Sequence, residues 1–148
     1  MPKSADRPNK AMLPASALFG AALMLFGFFQ DTPAGVFQGL RTIVTHEDVL
    51  ITDYIAIAGM GAAFVNAGLV TLISVLILRL VGDPVNGATL VTLGLMAGFS
   101  LFGKNIVNIW PILVGTAAYA VLKQETFAHH VNLALRATAL SPVVSFMA

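Results

Sequence analysis

The sequence contains no cysteine and few charged residues. Only 10% of its 148 residues are charged, whereas an ordinary soluble domain carries about 25%. The absence of cysteine excludes disulfides and thiolate metal sites. The formal net charge is +1, so no overall positive field attracts nucleic acid, and we expect no nucleic-acid partner.

Hydrophobic residues are abundant instead, at 57% of the chain. One modest core cannot bury them all, and long uncharged apolar runs indicate that the remainder faces lipid. We therefore predict an all-α fold, a polytopic transmembrane helix bundle in one domain over residues 11–148, with the lipid bilayer as its partner. The expected spans, about five, are residues 11–29, 55–81, 87–102, 106–122 and 133–148.

The first apolar run, from Ala11 to Phe29, follows a polar segment, residues 1–10, that holds Lys3, Arg7 and Lys10. A signal peptide begins similarly, but its apolar core is about 7–15 residues and ends at small residues. This run is longer and stops at a Gln-Asp pair, which favours a retained transmembrane helix behind a polar cytoplasmic tail.

Residues 30–54 form a polar connection in which apolar residues recur at helical spacing. They are Val36, Phe37, Leu40, Ile43 and Val44. The pattern predicts a short interfacial helix over residues 34–44, with an exposed loop as the alternative. Asp53 directly precedes the second span, where an N-cap or interfacial role is expected.

The second span carries Gly59, Ala63 and Ala67 at intervals of four, which predicts a helix-packing face. Asn66 lies in the same span. An interhelical hydrogen bond is its ordinary role, and a contact with a transported substrate is the alternative. Asn86, in the turn after this span, belongs either to a cytoplasmic turn or to the mouth of a pathway.

A polar interruption lies between the third and fourth runs, where Gly103, Lys104, Asn105, Asn108 and Pro111 fall close together. Irregular backbone at membrane depth occurs only where protein or a water-filled cavity surrounds it, and transporters place such broken helices at their substrate sites. We therefore consider a broken or re-entrant segment near residues 103–111, with the lysine and both asparagines as pathway residues. The alternative is a plain extracellular hairpin whose lysine reaches the headgroups.

The remaining polar residues indicate no catalytic site, cofactor or metal. His46-Glu47 lacks the second histidine of a zinc-protease helix. Basic residues at the span ends predict a cytoplasmic N-terminus in a multi-pass protein of the cell membrane, because Lys3, Arg7, Lys10, Arg79 and Lys123 then all fall inside.

Two stretches carry a resemblance to a known family. They run over residues 51–74 and 83–120, and the most specific residues are Asp83, Pro84, Asn86, Gly87, Phe102, Gly103, Lys104, Asn105, Asn108, Trp110, Pro111 and Gly115. Over roughly residues 48–145 the chain resembles an uncharacterised family of prokaryotic polytopic membrane proteins, the domain of unknown function number fifteen-seventy-six. The resemblance implies a membrane fold and a membrane location, but it identifies no activity. Because members are usually longer, it also implies that this chain corresponds to the earlier part of one.

Two functions therefore remain open. The first is one half of a small-solute or ion transporter or channel, completed by a second similar half or by a homodimer. The second is a non-transporting structural or assembly subunit of a membrane complex. The polar interruption favours the first, and the small-residue face favours the second.

Overall fold

The computed structural model describes residues 11–49, 51–82 and 85–147, and their regular structure is entirely helical, which confirms the all-α prediction. The polar tail, residues 1–10, lies outside the described residues. In chain order the helices are α1 (Met12–Gln30), α2 (Pro33–Thr45), α3 (Tyr54–Ala58), α4 (Met60–Val81), α5 (Gly87–Phe99), α6 (Trp110–Leu122), α7 (Phe127–Ala137) and α8 (Ser141–Met147), with a 3-10 turn at Thr138–Leu140 between the last two.

Two helices in the described part of the chain are long and apolar enough to cross a bilayer. They are α1, with 19 residues, and α4, with 22. The first matches the predicted span 11–29. The second covers most of the predicted span 55–81, but Gly59 separates α3 from α4 with a backbone φ of +86°, a conformation that favours glycine.

Helices α1 and α4 pack antiparallel through two pairs of glycines. A Cβ atom added to Gly27 would lie 2.5 Å from the carbonyl oxygen of Gly61, and one added to Gly68 would lie 2.6 Å from that of Gly20. Only glycine permits the two backbones to approach this closely. The helix surface that meets α1 therefore has small residues seven positions apart.

The residues predicted to form a packing face, Gly59, Ala63 and Ala67, are not the glycines through which α4 meets α1. Ala63 and Ala67 are buried, and Ala63 packs in a cluster with Ile43 of α2 and with Tyr54. Gly59 is exposed, and no atom lies within 4 Å of the position its Cβ would occupy. Its observed role is to turn the chain between α3 and α4.

The other predicted spans correspond to shorter helices. Helices α5 and α6 have 13 residues each, about 20 Å in length, whereas the bilayer core is about 30 Å thick. The last predicted span, 133–148, begins inside α7, passes the 3-10 turn and continues into α8. Helix α7 has a polar face, and Arg136 on it donates to the Thr92 hydroxyl and the Ala88 carbonyl of α5.

The predicted helix over residues 34–44 is present as α2, which buries Val36, Gly39 and Ile43 on one side. The main hydrophobic core joins α4, α5, α6 and α7 around Val70, Leu78, Leu93, Met96, Ile109, Leu113, Val131 and Leu135. This core fixes the positions of the α5 end and the α6 start, and therefore of the irregular segment between them.

Candidate functional site

The chain between α5 and α6, residues 100–109, is not helical, and we refer to it as the break segment. Gly103 adopts a φ of +102°, and a Cβ there would lie 3.0 Å from the Pro142 ring of α8. Glycine is therefore needed both for the conformation and for the close approach. Pro111 stands in the first turn of α6, where a helix does not use the amide hydrogen that proline lacks.

Asn105 and Asn108 fold the break segment by binding each other's backbone. The Asn108 side-chain oxygen accepts from the Asn105 amide at 2.9 Å. The Asn105 side-chain oxygen accepts from the Asn108 and Val107 amides, also at 2.9 Å. These bonds satisfy backbone donors that the lost helical pattern leaves free.

The two side-chain amide groups then reach outwards to other elements. Asn105 Nδ2 donates to the Tyr54 hydroxyl at 3.2 Å and to the Ile43 carbonyl at 3.4 Å, linking the break segment to α3 and α2. The Tyr54 backbone amide also donates to the Leu101 carbonyl at 3.1 Å. The start of the short helix α3 is thus held against the break segment through both the backbone and the side chain of Tyr54.

Asn108 Nδ2 lies within hydrogen-bonding distance of three acceptors. These are the Gly103 carbonyl at 2.8 Å, the Ser145 hydroxyl of α8 at 2.9 Å and the Asp48 carboxylate at 3.4 Å. Since the amide has two hydrogens, the longest of these contacts is the weakest.

Asp48 is a member of this network that the sequence did not reveal. Its carboxylate is fully buried, and Oδ2 accepts from the Tyr54 hydroxyl at 2.8 Å. Its Oδ1 has no hydrogen-bond partner in the described structure and lies 3.9 Å from His46 Nδ1. Burial raises the pKa of Asp48 above its usual value, and the hydrogen bond from Tyr54 offsets only part of this rise.

Asn66, in the second turn of the membrane-length helix α4, connects this helix to the break segment. Its Nδ2 donates to the carbonyl of Ser100 at 2.8 Å and to that of Lys104 at 2.9 Å. Its Oδ1 is buried and accepts no hydrogen bond from the described residues. Asn66 therefore bonds to the backbone of the non-helical break segment, whereas the ordinary role predicted for it was a bond between helices.

Lys104 is 1% exposed although it carries an ammonium group. Its Nζ lies 3.2 Å from the Met96 sulfur and 5.4 Å from the centre of the Phe99 ring. The ion pairs found in the described structure involve other residues. The Lys104 charge is therefore surrounded by a polarisable sulfur and a ring face, neither of which neutralises it.

Asn86, the remaining predicted pathway residue, lies at the other end of α5. Its side-chain oxygen accepts from the amides of Ala88 and Thr89, and the Thr89 hydroxyl oxygen accepts in turn from the Asn86 backbone amide. This is a capping box that starts α5. The structure thus brings Asn66, Lys104, Asn105 and Asn108 together at the break segment and leaves Asn86 apart from them.

Two open clefts flank the break segment. The polar cleft, of about 420 Å³, is lined by Val44, Thr45, His46, Glu47, Asn105, Val107, Asn108, Pro111, Val144 and Ser145. The apolar cleft, of about 450 Å³, is lined by Ile51, Phe99, Phe102, Lys104, Ala139 and Pro142. Among the described residues, no three histidine, aspartate or glutamate side chains are grouped as a metal site requires.

One comparison with known proteins identifies the family. The model of a family described as a protein of unknown function (DUF1576) matches residues 32–148, and the chain belongs to this family. The match confirms the resemblance inferred from the sequence and extends it to α2, while α1 precedes the matched residues. No curated protein and no solved structure matches the chain.

Proposed function

We propose that this DUF1576 member is an integral membrane protein whose break segment forms part of a pathway for a small solute or ion. Membrane insertion is supported by the surface of α1. In its most apolar stretch only 17% of the residues are buried. Leu18, Leu25 and Phe29 are 72%, 60% and 84% exposed, and such a surface matches lipid rather than water.

The observation that carries the pathway proposal is the depth of the break segment. The chain leaves α5 level with Asn66, which donates to the Ser100 carbonyl. Asn66 lies six residues into α4, about 9 Å from its start along the axis. If α4 crosses the bilayer, the break segment lies inside it, where irregular backbone belongs beside a protein-lined or water-filled cavity.

We further propose a multi-pass protein of the cell membrane with a cytoplasmic N-terminus, and the antiparallel packing of α1 and α4 is consistent with this orientation. Arg79 near the end of α4 lies on the same side as the start of α1. A cytoplasmic N-terminus puts this arginine inside, in agreement with the positive-inside rule, and α2 together with the break segment that it contacts then lies in the outer half of the membrane. Lys3, Arg7 and Lys10, on which the orientation also depends, lie outside the described residues.

Cysteine labelling tests the pathway directly, because the chain has no cysteine of its own. Val107 lines the polar cleft and is 52% exposed, while Val114, on α6, is 62% exposed and lines an apolar groove. In proteoliposomes we expect a membrane-impermeant maleimide to label Val107→Cys and to leave Val114→Cys unlabelled. Equal labelling of the two variants would contradict a water-filled break segment.

Flux measurements test whether an ion passes along the break segment. Proteoliposomes loaded with potassium- and chloride-sensitive dyes report either ion, and we expect Lys104→Ala combined with Asn105→Ala to reduce the flux that the unaltered chain supports. Lys123→Ala is the control, because this lysine lies at the turn after α6. A flux unchanged by the double substitution would remove these residues from the pathway.

A non-transporting membrane subunit is the second candidate, and the exposed apolar surface favours it. The outward faces of α5 and α6 include Val91, Leu95, Val114 and Val121, which suit a partner helix as well as lipid. Such a partner is a second similar half, a second copy of this chain or another membrane protein. Stable copurification with a partner, no flux and equal labelling of the two cysteine variants would together support this function.

A further inference from the structure

We infer that the apolar cleft binds an amphipathic monoanion, a carboxylate on an apolar body of about ten carbons, with Lys104 holding the carboxylate. The inference rests on the proposed function, because it names the ligand class of the same break segment. It comes from the charge of Lys104, from the lining of the cleft and from the cleft's size.

The first argument is the unneutralised charge. An ammonium removed from water is costly unless an opposite charge or hydrogen-bond acceptors compensate it. The described structure supplies Lys104 Nζ with the Met96 sulfur and the Phe99 ring face, and with no carboxylate in ion-pair distance. An incoming anion therefore gains more here than at a lysine that is already paired.

The second argument is the lining. Apart from Lys104, the residues around the cleft are Ile51, Phe99, Phe102, Ala139 and Pro142, which offer no side-chain donor or acceptor. A sugar or an amino acid would leave its remaining polar groups unpaired on these walls, which is costly. A small inorganic anion would lose its hydration shell and gain one cation only. An apolar body attached to one anionic group uses every part of the lining.

The third argument is size. The cleft of about 450 Å³ lies within the range of small-molecule sites. It corresponds to about 15 water-sized groups, at about 30 Å³ each. Decanoate, with ten carbons and two oxygens, fits this volume. Phe99 and Phe102, exposed by 41% and 44%, line the cleft and offer apolar surface to the chain of the ligand.

Photolabelling tests the inference with one probe. Decanoate carrying a terminal diazirine is irradiated with the full chain in nanodiscs of neutral phosphatidylcholine, and labelled peptides are identified by mass spectrometry. We expect labelling at residues 99–104 that unlabelled decanoate displaces. Decanol, which has the chain without the charge, and acetate, which has the charge without the chain, compete at least tenfold less well.

Substitutions separate the charge from the shape. Lys104→Met removes the charge and keeps an unbranched side chain only one atom shorter, whereas Lys104→Arg keeps the charge. A hydrogen bond to a charged group implies about 10- to 100-fold weaker labelling in Lys104→Met. Lys104→Arg and the control Lys123→Met retain labelling. Undiminished labelling of a folded Lys104→Met protein, or displacement by decanol as efficient as by decanoate, would overturn the inference.

The same experiment distinguishes a free carboxylate from a lipid. Anionic phosphatidylglycerol in the nanodisc that displaces the probe identifies a lipid headgroup as the source of the anion, and retention of the probe identifies a free fatty-acid-like carboxylate. Failure of this inference is separable from failure of the proposed function. Photolabelling together with equal maleimide labelling of Val107→Cys and Val114→Cys supports the site and contradicts the water-filled pathway. Preferential maleimide labelling of Val107→Cys without photolabelling does the reverse.

Discussion

Replacement of Asn66 by leucine tests how the break segment is held inside the protein. The substitution removes the bonds to the Ser100 and Lys104 carbonyls while keeping a side chain of similar size. Each buried carbonyl left without a partner costs about 1–3 kcal/mol. The substitution also removes the Asn66 Oδ1 atom, which is buried without a partner, and this returns about 1–3 kcal/mol. The net expectation is a loss of about 1–3 kcal/mol.

A matched control is available in the same helix. Thr71 is also fully buried, but its hydroxyl donates to the Ala67 carbonyl of its own helix turn at 2.7 Å. Thr71→Val leaves that carbonyl with its helical partner, so we expect a change of less than about 1 kcal/mol. Unfolding of both variants by sodium dodecyl sulfate in mixed micelles can be followed through Trp110, the one tryptophan of the chain, which begins α6.

If Asn66→Leu is as stable as Thr71→Val, the expectation is contradicted, because the two carbonyls of the break segment then find other partners and Asn66 does not hold the segment. A loss confined to Asn66→Leu supports an internal break secured by one amide.

Three further predictions concern packing, capping and pH. Gly27→Ala should lower the unfolding free energy, since overpacking costs about 1–3 kcal/mol and the gain in helix propensity is only about 1 kcal/mol. Gly115→Ala is the control and should not lower it, because a Cβ there meets nothing within 4 Å. Asn86→Ala should cost about 1 kcal/mol by removing the α5 cap, without altering flux, and reduced flux in a folded variant would return this residue to the pathway. Because burial raises the pKa of Asp48, the folded state holds the proton of this carboxyl group more tightly than the unfolded state does. The unfolding free energy should therefore fall as pH rises from about 4 to the folded pKa. That of Asp48→Asn should fall less over the same window, and parallel curves for the two proteins would contradict a raised pKa at Asp48.

Helix existence could be predicted from the sequence wherever an uncharged apolar run was long. The runs at residues 11–29 and 55–81 became α1 and the α3–α4 pair, and the amphipathic pattern at 34–44 became α2. The interruption at Gly59 could not be predicted, because a positive φ at one glycine depends on how α3 packs against the break segment. The run after residue 133 hid a 3-10 turn, because hydropathy does not distinguish one helix from two short ones.

The candidate site was only partly visible for a similar reason. Asn105 and Asn108 stood out because two amides interrupt an otherwise apolar stretch. Asp48 did not, because it lies between Glu47 and Asp53 in a polar connection, and burial, which sequence does not encode locally, separates it from them. The glycine pairs between α1 and α4 were missed because a seven-residue interval is less evident than the four-residue one at Ala63 and Ala67.

Lys104 of the break segment and Asp48, which contacts it, are both buried, and each lines a cleft that Pro142 also lines. The described structure records no ion pair between them, so neither group compensates the other. A protein selected for stability alone would gain from replacing both by apolar residues of similar volume. Their presence in and beside an irregular segment that contacts Asn66 of α4 therefore favours a binding role over a purely structural one.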